Sequence, residues 1–133
     1  MSGIGIKELA FVGYSVNDIA ESRRFYGEIL GLPEGMVFDH EGEVGWVEYS
    51  VPGGGTLAIT KANDQWQPSE HGGGACFEVE DLDVAVSKME AAGVKIAMPI
   101  QDFPICRMAL ISDPSGNTIA IHQKKANHPE CSH

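Results

Sequence analysis

What most constrains this chain is that it repeats itself. Thr118-Ile119-Ala120-Ile121-His122 is fed by the turn Asp113-Pro114-Ser115-Gly116. Sixty-two positions earlier, Thr56-Leu57-Ala58-Ile59-Thr60 follows Pro52-Gly53-Gly54-Gly55, with Pro52 aligned on Pro114. A period this long means one supersecondary unit used twice, so chemistry placed on a strand of one copy must be sought at the matching strand of the other. The 133 residues suit one domain or two small packed modules, and a hydrophobic content of 43% is enough for a sizeable core.

Residues 9–16 read as a strand in which Ala10, Val12, Tyr14 and Val16 are more uniformly bulky than the alternating set Leu9, Phe11, Gly13 and Ser15. The bulkier set should meet a helix. That helix follows at once, with Asp18 as its cap, Glu21 three residues later as in a capping box, and Gly31 placed to end it. Ile19, Phe25, Tyr26, Ile29 and Leu30 supply its apolar stripe. Gly27 inside the helix costs about 1 kcal/mol relative to alanine, and close packing against the sheet would account for it. Three extended pieces follow, residues 36–40, 44–51 and 56–60, so the first copy reads βαβββ.

The polar, glycine-rich stretch that follows has Trp66 and Pro68 as its only bulky members and reads as the connection between copies. The second copy opens with a strand over 75–79, where Val79-Glu80-Asp81-Leu82 repeats Val16-Asn17-Asp18-Ile19. A helix then carries Ala85, Val86, Met89 and Ala92 at helical spacing and closes at Gly93, and strands follow over 94–98, 107–112 and 117–122. Residues 4–61 are thus expected to form a first module, 62–73 a connecting loop, 74–123 a second module, and 124–133 a polar, frayed tail.

Composition removes several function classes. The formal net charge is −10 and no basic stripe exists to release counterions from a phosphate backbone, which excludes nucleic acid as a partner. No run of about eighteen apolar residues occurs and the N-terminus lacks a basic head before an apolar run, so no membrane partner is expected. The three cysteines are odd in number and lack CxxC spacing, which points to a reducing cytoplasm.

Two tandem βαβββ units, with Phe25-Tyr26 before Leu30-Gly31-Leu32 and with Asp113-Pro114-Ser115-Gly116-Asn117 before the last strand, resemble the vicinal oxygen chelate superfamily. That superfamily includes glyoxalases, bleomycin- and fosfomycin-resistance proteins and extradiol dioxygenases. The resemblance implies an α+β fold of two modules whose curved mixed sheets enclose a cavity, often in a homodimer and in some members across chains. It also implies a divalent metal held by the first and last strands of each module. By the family's spacing those four places fall here on Phe11, Ala58, Gly74 and Ala120, none of which can bind zinc, iron or manganese. No cofactor is expected, and a divalent metal (Zn, Fe, Mn or Ni) enters only if the ligands are relocated.

Strand alternation picks out the residues that should face the cavity. His122 lies two beyond Ala120, and Thr60 is its repeat partner; it is either a base, a ligand contact or relocated metal ligand, or a half-exposed histidine at a strand end. Glu78 and Cys76 share the inward parity of Gly74. Glu78 is either a cation contact or a base with a raised pKa, or a carboxylate at a wet rim; Cys76 reads as a small buried filler rather than a nucleophile. Trp46 and Glu48 should line the cavity beside Met108 and Leu110, an aromatic face with a carboxylate suited to an aromatic or cationic small molecule. Trp66 could cover the cavity mouth or a dimer seam. His71 before three glycines lacks the rest of a phosphate loop and reads as a hinge, and His128, Cys131 and His133 have only loose metal-like spacing. Two functions follow: a metal-free binding protein using Phe11, Trp46, Glu48, Thr60, Cys76, Met108, Leu110 and His122, or a lyase, isomerase or dioxygenase working through His122 and Glu78. The first is preferred because all four ligand side chains are lost.

Overall fold

The computed structural model describes residues 3, 5, 7, 9–71, 74–104 and 106–125. Two four-stranded mixed sheets repeat one topology. The first runs β1 (Val12–Val16), β4 (Thr56–Lys61), β3 (Glu43–Ser50), β2 (Glu34–His40) in space, and the second runs β5 (Cys76–Glu78), β8 (Thr118–Lys124), β7 (Cys106–Ser112), β6 (Lys95–Asp102). β1 pairs with β4, and β5 with β8, in parallel; the other pairings are antiparallel. In each module the first strand is followed by a helix that covers one face.

The bulky set of β1 does meet that helix: Tyr14 and Val16 are buried with Phe25 and Tyr26, and with Val47, Tyr49, Leu57 and Ile59 from the neighbouring strands. The same apolar cluster continues into Leu82, Met89, Ile111, Ile119 and Ile121, so the helix-covered faces of the two modules share one core. β1 begins at Val12, three residues later than alternation suggested. Its partner β4 begins at Thr56, and the register Val12 on Leu57 puts Phe11 level with the first residue of β4 and leaves residues 9 and 10 beyond its end. β6 in turn continues past Met98 through Pro99, which an edge strand tolerates because its missing N–H faces away from the ladder. β8 extends to Lys124.

The first helix starts as expected, with Asp18 Oδ1 accepting from the Glu21 amide at 2.9 Å. It then changes character. After the α-helical Ile19–Arg23 comes a π-helical turn, Arg24–Ile29, in which the Leu30 amide reaches back five residues to the Phe25 carbonyl at 2.9 Å. A Cβ placed on Gly27 would meet only the Tyr49 ring, at an ordinary 3.6 Å, so close packing does not require glycine there. The second helix, α2 (Leu82–Ala91), is capped by Asp81 and stopped by Gly93 at φ +83°.

The modules are joined by polar groups around the Asp113 turn. Tyr26 Oη donates to Asp113 Oδ2 at 2.8 Å, Asn117 Nδ2 donates to the Ser15 carbonyl at 2.8 Å, and the Tyr14 hydroxyl bridges the Ala75 amide and the Thr118 carbonyl. The repeat places Met89 and Val51 at the positions equivalent to Tyr26 and Asp113. One side of the joint is therefore hydrogen-bonded and the other is apolar.

Candidate ligand-binding faces

Each sheet buries one face under its helix and turns the other, concave, face outward. On the first sheet, pairing sets Gly13 beside Ala58 and Ala58 beside Glu48, with Ser15, Thr60 and Trp46 in the next row. Phe11 packs edge-on against Trp46, ring centroids 5.2 Å apart at 89°. The Trp46 indole N–H donates to Glu48 Oε2 at 2.9 Å, which fixes a carboxylate beside the aromatic surface. Thr60 is on the same face, but its hydroxyl is already committed to the Gly45 carbonyl at 3.1 Å. Phe11 is 40% and Trp66 39% exposed.

Trp66, from the connecting loop, lies against the first strand. Its ring closes over Gly13: a Cβ there would lie 2.8 Å from Cη2 and 3.1 Å from Cζ2 of the indole. Ser15, which alternation leaves on this polar side, is nevertheless buried, because its hydroxyl donates to the Trp66 carbonyl at 2.7 Å. The connecting loop thus folds back onto β1. The only signals for this in the chain were the small residues Gly13 and Ser15 in an otherwise bulky strand and Asn63, whose side chain nucleates the turn carrying Trp66.

On the second sheet, Cys76 pairs with Ala120 and Ala120 with Leu110, while Glu78 pairs with His122 and His122 with Met108. The predicted residues of this module therefore come together on one face. His122 is buried, with 6% of its side chain exposed, and its Nδ1 lies 2.6 Å from Glu78 Oε1; the reading of a half-exposed strand-end histidine does not hold. Glu78 accepts the Lys124 amide on its other oxygen at 2.8 Å. Burial works to raise the Glu78 pKa, but the Lys124 amide and the His122 ring outweigh it and hold the carboxyl below the usual glutamate range, opposite to the raised value considered from sequence. Cys76 is exposed rather than a buried filler, and desolvation together with the Glu78 charge pushes its thiol up, which disfavours the thiolate.

The positions where the family places metal ligands do not suit one. Phe11, Ala58, Gly74 and Ala120 offer no donor atoms, and a side chain at position 74 is refused sterically: a Cβ would run into the Tyr14 hydroxyl and stand 2.6 Å from the Thr118 carbonyl. Among the described residues no three His, Cys, Asp or Glu side chains are grouped to hold a metal ion. His71 is exposed and sits 3.3 Å from Glu70, and His128, Cys131 and His133 lie outside the described residues.

Two clefts of about 790 and 750 Å³ lie on the helix side, related to each other by the repeat. The larger runs over the apolar side of the joint, between Leu30, Val51, Phe77 and Met89, with Cys76 and Glu78 at its border. The other residues expected to bind ligand line neither cleft and stand on the faces of the sheets away from the helices. Among the described residues, no helix is long and apolar enough to cross a membrane.

The duplicated βαβββ architecture defines the class of the protein, and comparison with known proteins shows its family. Residues 8–121 match the family model described as Glyoxalase/Bleomycin resistance protein/Dioxygenase superfamily, and the chain belongs to that family. No curated protein matches the chain. Among solved structures it is similar to TnmS3, an antibiotic binding protein from Streptomyces sp. CB03234, at 22% identity and a TM-score of 0.76, covering 92% of this chain and 100% of that one. It is also similar to the fosfomycin resistance protein FosX from Listeria monocytogenes, at 14% identity and a TM-score of 0.72 over 92% and 98% of the two chains. A glyoxylase/bleomycin resistance protein/dioxygenase domain from Frankia sp. EAN1pec aligns at 21% identity and a TM-score of 0.74, covering 97% and 100%. At these identities the likeness establishes the fold.

Proposed function

We propose that this protein is a cytoplasmic homodimer that binds a small organic molecule, aromatic or cationic, on its concave faces without the family metal, the second copy supplying the missing wall of the cavity. The observation that carries the reading is the packing of Phe11 edge-on against Trp46, with the Glu48 carboxylate tethered to the Trp46 indole. Flat apolar rings left half exposed beside a fixed negative charge attract a cation or a planar ring. The similarity to TnmS3, an antibiotic binding protein, supports the same reading. Titration of proflavine, a planar cationic dye, into purified protein tests it: saturable binding that Trp46→Ala weakens at least about tenfold, roughly the loss of one aromatic contact, is expected. Binding that Trp46→Ala leaves untouched would remove the concave face from consideration.

A second reading rests on the His122–Glu78 pair. Glu78 Oε1 against Nδ1 fixes the orientation of the imidazole, and a carboxylate-oriented histidine is the arrangement used for proton abstraction by a lyase or isomerase. Loss of a turnover on both His122→Ala and Glu78→Gln, with ligand affinity kept, would select this reading over binding alone.

A further inference from the structure

The backbone under Trp66 is pinned, while its ring is not. Ser15 Oγ donates to the Trp66 carbonyl at 2.7 Å, Asn63 Oδ1 accepts from the Gln65 and Trp66 amides at 2.8 and 3.1 Å, and Asn63 and Trp66 exchange two backbone hydrogen bonds at 3.1 and 3.3 Å. The indole rests on bare backbone at Gly13, next to Phe11 Cε1, and remains 39% exposed. Gly13 lies beneath it and pairs with Ala58, so the two residues form a floor with almost no side chain. The indole has no hydrogen-bond partner among the described residues, and a ring so held on a fixed backbone leaves by rotation about its own side-chain bonds without loop movement.

We propose that the Trp66 indole is a removable cover on the Gly13–Ala58 floor, and that a planar aromatic group enters by taking the place of the indole ring. The inference rests on the binding function proposed above and adds a selection rule to it. The place vacated is bare backbone at Gly13 with Phe11 Cε1 beside it, a flat contact that a planar group covers fully and a puckered saturated one of equal size does not. Because the cover competes with the ligand, it also lowers the apparent affinity by the fraction of time the floor is closed.

The test uses protein labelled with 5-fluorotryptophan. The chain has two tryptophans, so fluorine NMR of Trp46→Phe assigns the Trp66 signal. Gly13→Ala, whose new methyl intrudes on the far end of the indole, should move that signal to the position of an uncovered ring without loss of fold by circular dichroism. Proflavine added to the unsubstituted protein should move it to the same position, and Trp66→Ala should bind the dye about fivefold or more tightly, as expected when a closed competitor is removed. Dicyclohexylammonium should do neither. A Trp66 signal that stays in place while the dye binds, or weaker binding by Trp66→Ala, would make the ring a wall of the site and end the cover proposal, leaving the binding function intact. Absence of dye binding in both proteins would remove the binding function and this inference with it.

Discussion

Tyr26 and Asp113, eighty-seven positions apart, meet in the core through a 2.8 Å hydrogen bond that ties the first helix to the turn before the last strand. Asp113 is fully subscribed: Oδ1 accepts the Ser115 and Asn117 amides, and Oδ2 accepts Asn117 Nδ2 as well as the tyrosine. Such a buried carboxylate tolerates burial because it is surrounded by donors. Tyr26→Phe removes a donor to a charged acceptor and should cost about 1.5–3 kcal/mol. Tyr49 stacks near Tyr26, with centroids 6.1 Å apart, yet its buried hydroxyl has no hydrogen-bond partner among the described residues. Tyr49→Phe should therefore be neutral or stabilise by about 1 kcal/mol, since it removes a desolvated group that gains nothing. Chemical denaturation of the two variants checks this: equal losses in both would contradict the assignment of the joint to Tyr26.

The Glu78–His122 pair makes a pH prediction. Because the folded-state pKa of Glu78 is lowered, its contribution is fully present above the unfolded value of about 4.3 and is lost as pH falls through the lower folded value. Glu78→Gln should cost about 1 kcal/mol near neutral pH, a modest figure because 47% of the side chain is exposed to solvent screening. The difference between wild type and variant should shrink steadily below about pH 4.5. Thermal melts of both proteins across that range decide the matter, and a gap that widens toward acid would reverse the sign of the shift.

Sequence reading recovered what the repeat and local periodicity encode. The βαβββ order, the Asp18 cap and the shared strand faces of Trp46 with Glu48 and of Met108 with Leu110 and His122 all follow from alternation and from an offset of sixty-two or sixty-three. The elements that escaped it depend on contacts between residues far apart. The π turn answers to packing of both Phe25 and Tyr26 inward, the burial of Ser15 depends on a carbonyl fifty-one positions away, and the pairing of β1 stops where β4 happens to start. The burial of His122 likewise depends on neighbouring strands rather than on its own place near a strand end. Local pattern sets the face a side chain takes; what then covers that face is decided by loops.

Glu48 carries a charge fixed to the aromatic cluster by a hydrogen bond, so it should sort ligands by charge. Glu48→Gln keeps an acceptor for the Trp46 indole but removes the charge. It should weaken a cationic planar ligand about three- to tenfold at low salt, less as ionic strength rises, and leave a neutral analogue of the same shape unaffected. Isothermal titration of proflavine and of neutral acridine provides the comparison. A parallel loss for both compounds would mean that Glu48 acts through the position of Trp46 and not through its charge.

Two glycines give opposite expectations at the same substitution. At Gly74 a methyl group would strike the Tyr14 hydroxyl, which bridges the modules, and the Thr118 carbonyl at 2.6 Å, neither of which can yield without breaking the joint. Gly74→Ala should therefore cost about 2 kcal/mol or more, within the range of overpacking in a fixed environment. At Gly27 the same methyl meets only the Tyr49 ring at van der Waals distance, and alanine reduces the conformational freedom of the unfolded chain; Gly27→Ala should be neutral or stabilise by up to about 1 kcal/mol. The contrast also bears on the metal. Position 74 corresponds to a ligand position of the family, and the clash that forbids alanine forbids histidine more strongly. Gly74→His should unfold or loosen the joint rather than create a zinc site, and stoichiometric zinc bound by a stably folded Gly74→His protein would show that the Tyr14 bridge is not the obstacle.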